Sequence, residues 1–204
     1  MYKGITKEVW KPTTILNPVP TVMVTCQDDK GKSNIITIAW AGTLNSDPPM
    51  LSISIRKSRY SHKIIKDNRQ FVVNLTTKSL TYAVDFCGVK SGREIDKFEV
   101  LKLTKEKASK IDVPLILESP INIECVVKEI IELGSHDMFI SEIVSVNVDK
   151  RLIDDNGKLD LGKAGLICYS HGEYWSLHKC LGFFGYSIAK KETLKRRGLD
   201  KIKK

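Results

Sequence analysis

The densest concentration of reactive groups in this 204-residue chain is the run Ser54-Ile55-Arg56-Lys57-Ser58-Arg59-Tyr60-Ser61. It offers hydroxyls, two guanidinium groups and an ammonium, and it leads into a helix expected to start at Ser61 and His62. A helix start presents unpaired N–H groups and partial positive charge, so it suits a phosphate. Arg56 could grip phosphate in a two-pronged way, and Lys57 could act as a point charge. The same residues also read as an ordinary helix cap at Ser61 beside a solvated basic loop. A second stretch, Cys87-Gly88 followed by Ser91-Gly92-Arg93, combines glycine, hydroxyl and guanidinium in a way that suits an anion, and equally suits any turn. A third grouping is Cys168, His171, His178 and Cys180, all within thirteen residues and all competent zinc ligands. Its spacing matches no paired-ligand knuckle. On a strand His178 and Cys180 would share a face that Cys168 and His171 would not, so no metal is assigned.

Other chemistries lack their signatures. The chain has no GxGxxG, no GKS/T phosphate loop, no HExxH and no GxSxG. A nucleotide-like cofactor would need a less conventional site. No residue is assigned as catalytic acid, base or nucleophile.

The elements that must carry these residues read mainly as strands. Residues 50–56 alternate Leu51, Ile53 and Ile55 with Ser52, Ser54 and Arg56, a period of two with one polar face. Residues 21–27, 34–40 and 71–75 are β-branched or apolar runs, and 121–131 and 138–148 alternate again. Shorter strands are expected at 165–169 and 174–177. Helices are expected at 61–68 with Ser61 as cap, at 80–87 with Gly88 as C-cap, and at 190–197. Many short strands with few helices and no βα alternation predict an antiparallel barrel or sandwich with appended helices.

Bulk properties narrow the function. Apolar residues make up 42% and charged residues 28%, and a chain this long can bury a core without staples. Six of the nine net positive charges lie in residues 190–204, so the body lacks the broad basic face of a nucleic-acid binder. No run of about 18 apolar residues suggests a membrane span. The first residues lack the apolar core of a secretory signal, and the five cysteines are odd in number without a CxxC. A cytoplasmic protein without nucleic-acid or membrane partners is the expectation.

Order and spacing bring these pieces together over residues 31–74. Gly31 and Asn34, Thr37-Ile38-Ala39-Trp40, Asp47-Pro48-Pro49, the strand ending at Arg56, Ser61-His62 and Phe71-Val72-Val73-Asn74 follow one another. Then come Asp85-Phe86-Cys87-Gly88-Val89-Lys90-Ser91-Gly92-Arg93 and Asp96-Lys97-Phe98, and later Tyr174-Trp175 and Gly182-Phe183-Phe184-Gly185. This pattern resembles the flavin-reductase-like, FMN-binding split-barrel family, in particular its flavoredoxin and ferric-reductase branch. The resemblance implies a split β-barrel of Greek-key type over residues 1–189, FMN as cofactor and a homodimer; the basic tail, residues 190–204, lies outside it. Thr37, Ile38, Ala39 and Trp40 would run along the polar edge of the flavin ring. Ser54, Ile55, Arg56, Lys57, Ser58, Ser61 and His62 would serve the phosphate end. Cys87, Gly88, Ser91 and Arg93 would complete the site. NADH or NADPH would donate electrons, with free flavin, a ferric complex or a redox protein as acceptor. His62 is the most tempting acid–base group, yet hydride transfer at a flavin needs little help from one. The rival readings are an electron carrier that does not meet NAD(P)H, a non-enzymatic binding protein, and a small Cys/His metal protein.

Overall fold

A computed structural model describes residues 4–198. The chain opens with a short strand β1 (Val19–Pro20), then β2 (Val22–Gln27), β3 (Ser33–Ile38), β4 (Ala41–Ser46) and β5 (Pro49–Arg56). Helix α1 (Tyr60–Asn68) leads to β6 (Gln70–Leu75), then α2 (Thr81–Val89) and α3 (Lys97–Leu101). The pair β7 (Lys105–Glu106) and β8 (Leu115–Ile116) precedes the long hairpin β9 (Ile121–Glu132) and β10 (His136–Val148). The hairpin β11 (Ile167–Ser170) and β12 (Glu173–Ser176) and a short α4 (Lys191–Arg196) end the described chain.

Seven strands form one antiparallel sheet in the order β3-β2-β6-β9-β10-β5-β4. Its two outermost strands, β3 and β4, are consecutive in the chain and separated only by Ala39 and Trp40. Two residues cannot span an open sheet of this width, so the sheet must curl until its ends meet. Trp40 marks the join, its carbonyl accepting from the Ser54 N–H at 2.9 Å. β6, β9 and β10 lie side by side in the sheet, while β5, which precedes them in the chain, lies on the far side of β10. This is a Greek-key connection, and α1 makes it. The mainly β, split-barrel expectation holds.

Period-two alternation sorts the side chains. Val22, Val24 and Cys26 of β2 face a barrel core with Ile36 and Ile38, Leu51, Ile53 and Ile55, Phe71, and Phe139. Ile64 and Ile65 of α1 enter the same core. Met23 and Ile35, on the opposite faces of β2 and β3, pack under Val84 and Cys87 of α2 and Phe98 of α3. β2, β3 and α2 are thus locked together, and each aliphatic side chain so buried contributes roughly 1.5–3 kcal/mol.

Several boundaries differ from the sequence reading. The strand expected at 34–40 ends at Ile38, because the chain leaves β2 there and joins β5. β4 was not anticipated. α1 starts one residue early, with Arg59 in the cap position and no side-chain cap bond. Ser61 is therefore inside the first turn, buried, its Oγ accepting from Asn34 Nδ2 at 2.8 Å. Gly88 does not end α2, which runs to Val89 with Lys90 as C-cap. A Cβ on Gly88 would sit 3.4 Å from Thr37 Cβ, an ordinary contact, so the glycine lies inside the helix where α2 packs on β3. The tail expected at 190–204 is described only to residue 198, where it forms α4; residues 1–3 of the expected N-terminus and 199–204 of the tail lie outside the described residues.

Candidate functional site

β3 pairs with β2, and β5 pairs with β10 and β4, but among the described residues β3 and β5 do not pair with each other. From Trp40 the two strands diverge, and the gap between them is a cleft. Its narrow end, ≈ 210 Å³, lies between Ile36–Ala39 on one side and Ser54–Arg56 on the other, with Trp40 and His136 at the join. The rings of Trp40 and His136 are 4.5 Å apart, and burial, then the nearby Arg56, lowers the His136 pKa.

The cleft widens to ≈ 480 Å³ at the start of α1. Arg56, Ser58, Arg59, Tyr60 and Ser61 form one wall; Cys87, Lys90, Ser91, Gly92 and Arg93, at the end of α2 and just beyond, form the other. Asn34 and Lys97 close the base. Arg56, Arg59, Lys90, Arg93 and Lys97 give it five cations, and no Asp or Glu is among its lining residues. Gly92 is required for this closure, since a Cβ there would overlap the Asn34 carboxamide. Arg93 lies over the Tyr60 ring, 5.3 Å from its centroid, so the two walls touch at the rim.

Lys97 is a buried lysine, its Nζ donating to the carbonyls of Ile35 at 2.6 Å and Cys87 at 2.9 Å. Burial lowers its pKa, and the charge of Arg59 lowers it further. The Cys87 thiol is pushed up to about 11 by burial, against the pull of Lys97. Cys87 is thus held as a neutral thiol at neutral pH and acts as a small apolar wall.

Most residues singled out in the sequence converge here: Thr37, Ile38, Ala39, Trp40, Ser54, Ile55, Arg56, Ser58, Ser61, Cys87, Ser91 and Arg93. Three do not. Gly88 faces Thr37 within the α2–β3 contact. Lys57 turns away to Glu132 at 2.8 Å and Asp137 at 3.3 Å. His62 is buried, its Nε2 bonded to the Asp137 carboxylate at 2.8 Å. Burial pushes the Asp137 carboxyl up, but the bonds from His62 and Lys57 outweigh it and the pKa is lowered. Asn34, Arg59, Lys90, Gly92, Lys97 and His136 also line the cleft. Arg59 had a signal in its neighbours; Lys97 and His136 needed the fold. Cys168, His171, His178 and Cys180 are not brought together, and no three His, Cys, Asp or Glu side chains converge as a metal set among the described residues.

Comparison with known proteins follows this geometry. Residues 16–176 match the family described as flavin reductase like domain. An uncharacterised protein of Archaeoglobus fulgidus is 33% identical over 166 residues, covering 81% of this chain and 92% of its own length. The solved structure of flavoredoxin from Desulfovibrio vulgaris (Miyazaki F) superposes with a TM-score of 0.84 at 29% identity, over 90% of this chain and all of that one. Flavoredoxin from Methanosarcina acetivorans gives 0.81 at 25%, again over 90% of this chain and 100% of that one. With the split barrel, its cationic cleft and a family match across most of the chain, the protein belongs to the flavin reductase like domain family.

Proposed function

We propose that the cleft holds FMN and that the protein is an oxidoreductase using NADH or NADPH. The observation that carries this is five cations and no acid around the start of α1, continuous with a narrow slot beside Trp40 and Ala39. A phosphate dianion suits the wide end, where Ser61, Ser91 and the first-turn N–H groups add donors. A flat ring suits the slot, where small Ala39 leaves the backbone open to approach and Trp40 offers a face. Size agrees, since the two hollows share Ile36, Arg56 and Arg59 and run into one another. FMN held there would supply two-electron redox chemistry between a nicotinamide and an acceptor. The chain's own residues bind, orient and shield: Arg56, Arg59 and Arg93 neutralise phosphate, and Lys97 adds charge from the base. Free flavin, a ferric complex or a redox protein would take the electrons.

We further take the working unit to be a homodimer in the cytoplasm. Trp10, Leu44, Leu181, Phe184 and Ile188 are exposed apolar side chains that a second copy could cover. The free thiols fit a reducing compartment. Sedimentation at micromolar concentration should give twice the monomer mass; a monomer that still holds FMN would remove the dimer.

The likeness to two flavoredoxins supports a second reading, an electron carrier that does not take hydride from NAD(P)H. Anaerobic addition of NADH or NADPH separates the two: bleaching of the flavin bands within seconds supports the reductase, and unchanged bands with reduction only by a protein donor support the carrier. FMN itself is tested by binding. It should bind more tightly than riboflavin, and Arg56→Ala and Ser61→Ala should each cost roughly 1.5–3 kcal/mol of FMN affinity, the range for a hydrogen bond to a charged group. Wild-type affinity in both variants would remove the phosphate assignment.

A further inference from the structure

The polar row on β5 does not stop at the cleft. Arg56 and Ser54 line its two ends, and Ser52 and Ser54 line a further hollow of ≈ 530 Å³ beyond Trp40. We propose that this hollow binds an uncharged, planar, carbonyl-bearing aromatic molecule of the quinone class as electron acceptor. The proposal rests on the flavin reading above.

Position is the first argument. Ala39, Trp40 and Ser54 line both this hollow and the narrow end of the cleft, so a molecule here lies against the proposed ring site. Charge is the second. Thr13, Thr14, Ile15 and Leu16 form one side, Ala41, Gly42 and Ser52 the other, and no charged side chain is among the lining residues. The cleft next to it carries five cations. A carboxylate, phosphate or anionic metal chelate would meet no opposite charge among these residues. A neutral ring would meet Trp40, Ile15 and Leu16, while hydroxyls of Thr13, Thr14, Ser52 or Ser54 could donate to its carbonyl oxygen. Size is the third, since hollows of roughly 300–1,000 Å³ hold small ligands. With NADH as donor the exchange balances. Quinone, NADH and one proton from water give hydroquinone and NAD+; hydride brings two electrons and one proton, and water brings the second proton.

Gly42 gives a clean test. It lies on exposed β4, its φ is outside the left-handed region, and a Cβ there meets nothing within 4 Å. Gly42→Leu should therefore fill the hollow without disturbing the barrel. The probes are 2-acetylnaphthalene, a neutral aryl ketone, and 2-naphthoate, its anionic near-isostere, titrated calorimetrically into the full-length protein with and without FMN. The ketone should bind at least tenfold more tightly than the carboxylate. Gly42→Leu should weaken the ketone at least tenfold and leave FMN affinity within twofold. Equal binding of the carboxylate, or an unchanged ketone affinity in the variant, would overturn the proposal. So would a parallel loss of FMN, which would make the hollow part of the flavin site, or a change in sedimentation, which would make it a contact between copies. If wild-type protein takes up no FMN, the flavin reading fails on its own, and the ketone titration of that same protein still decides the hollow.

Discussion

At the scale of single residues, Lys97 carries the strongest consequence. Its ammonium is buried at the base of a cation-lined cleft and held by two backbone carbonyls. Burial lowers its folded-state pKa below the ordinary lysine value. Between those two values the unfolded chain binds more protons than the folded one, so stability of the flavin-free protein should rise with pH across that window. FMN affinity should fall over the same window, because the cleft loses a positive charge. Lys97→Met should flatten both slopes and weaken FMN at neutral pH. Parallel thermal melts and FMN titrations at stepped pH would check this; slopes unchanged in the variant would mean that another group titrates. Nothing in Asp96-Lys97-Phe98 taken alone marks this lysine as buried. Its partners are the carbonyls of Ile35 and Cys87, on β3 and α2, and only the packing of α3 against both brings them within reach. Lys57 and His62 are the converse. Their position near a helix start suggests a phosphate, but Asp137, 75 residues beyond His62, draws both away.

At the scale of elements, two glycines that look alike in the sequence have different work. Gly88 is helical within α2, and a Cβ there would only touch Thr37. Gly88→Ala should be tolerated, with a gain of up to about 1 kcal/mol from helix propensity offset by that contact. Gly92 abuts the Asn34 carboxamide. Gly92→Ala must displace Asn34 from Ser61, at a cost on the order of 1–2 kcal/mol for the buried bond, and should weaken FMN as the cleft wall moves out. Chemical denaturation and FMN titration of the two variants would show whether the effects separate; equal loss in both would refute the distinction. β5 and β10 were legible from alternation because one face is more buried than the other, and β2 and β6 as β-branched runs buried on both faces. β4 was not, since its AGTLNS is mostly exposed and holds its place by pairing with β5. Gly88 misled as a helix stop because α2 continues through it to Val89, packed against Thr37 of β3.

At the scale of the molecule, net positive charge is concentrated at one end of the chain. Six of the nine net positive charges belong to residues 190–204, beyond the family match that ends at 176. In the described part of this tail α4 has no buried residue, and Arg197 lies over the Phe183 ring. Removing residues 190–204 should leave the melting temperature and FMN content nearly unchanged. It should also lower salt-sensitive adsorption to polyanions, since exposed charges are screened over about 8 Å at physiological ionic strength. Insolubility or FMN loss on truncation would make the tail structural.

The divergence of β3 from β5 has one more consequence. A sheet that rolls up but omits one ladder leaves backbone N–H and C=O groups along the omission without strand partners. A planar molecule with donors and acceptors along its rim can take up those bonds, standing in for the absent rungs. Binding would then close the roll mechanically as well as occupy it. Amide hydrogen exchange should record this as slowing that appears together at residues 36–39 and 54–56, on two segments that share no hydrogen-bond ladder, and that is absent from the β9–β10 hairpin.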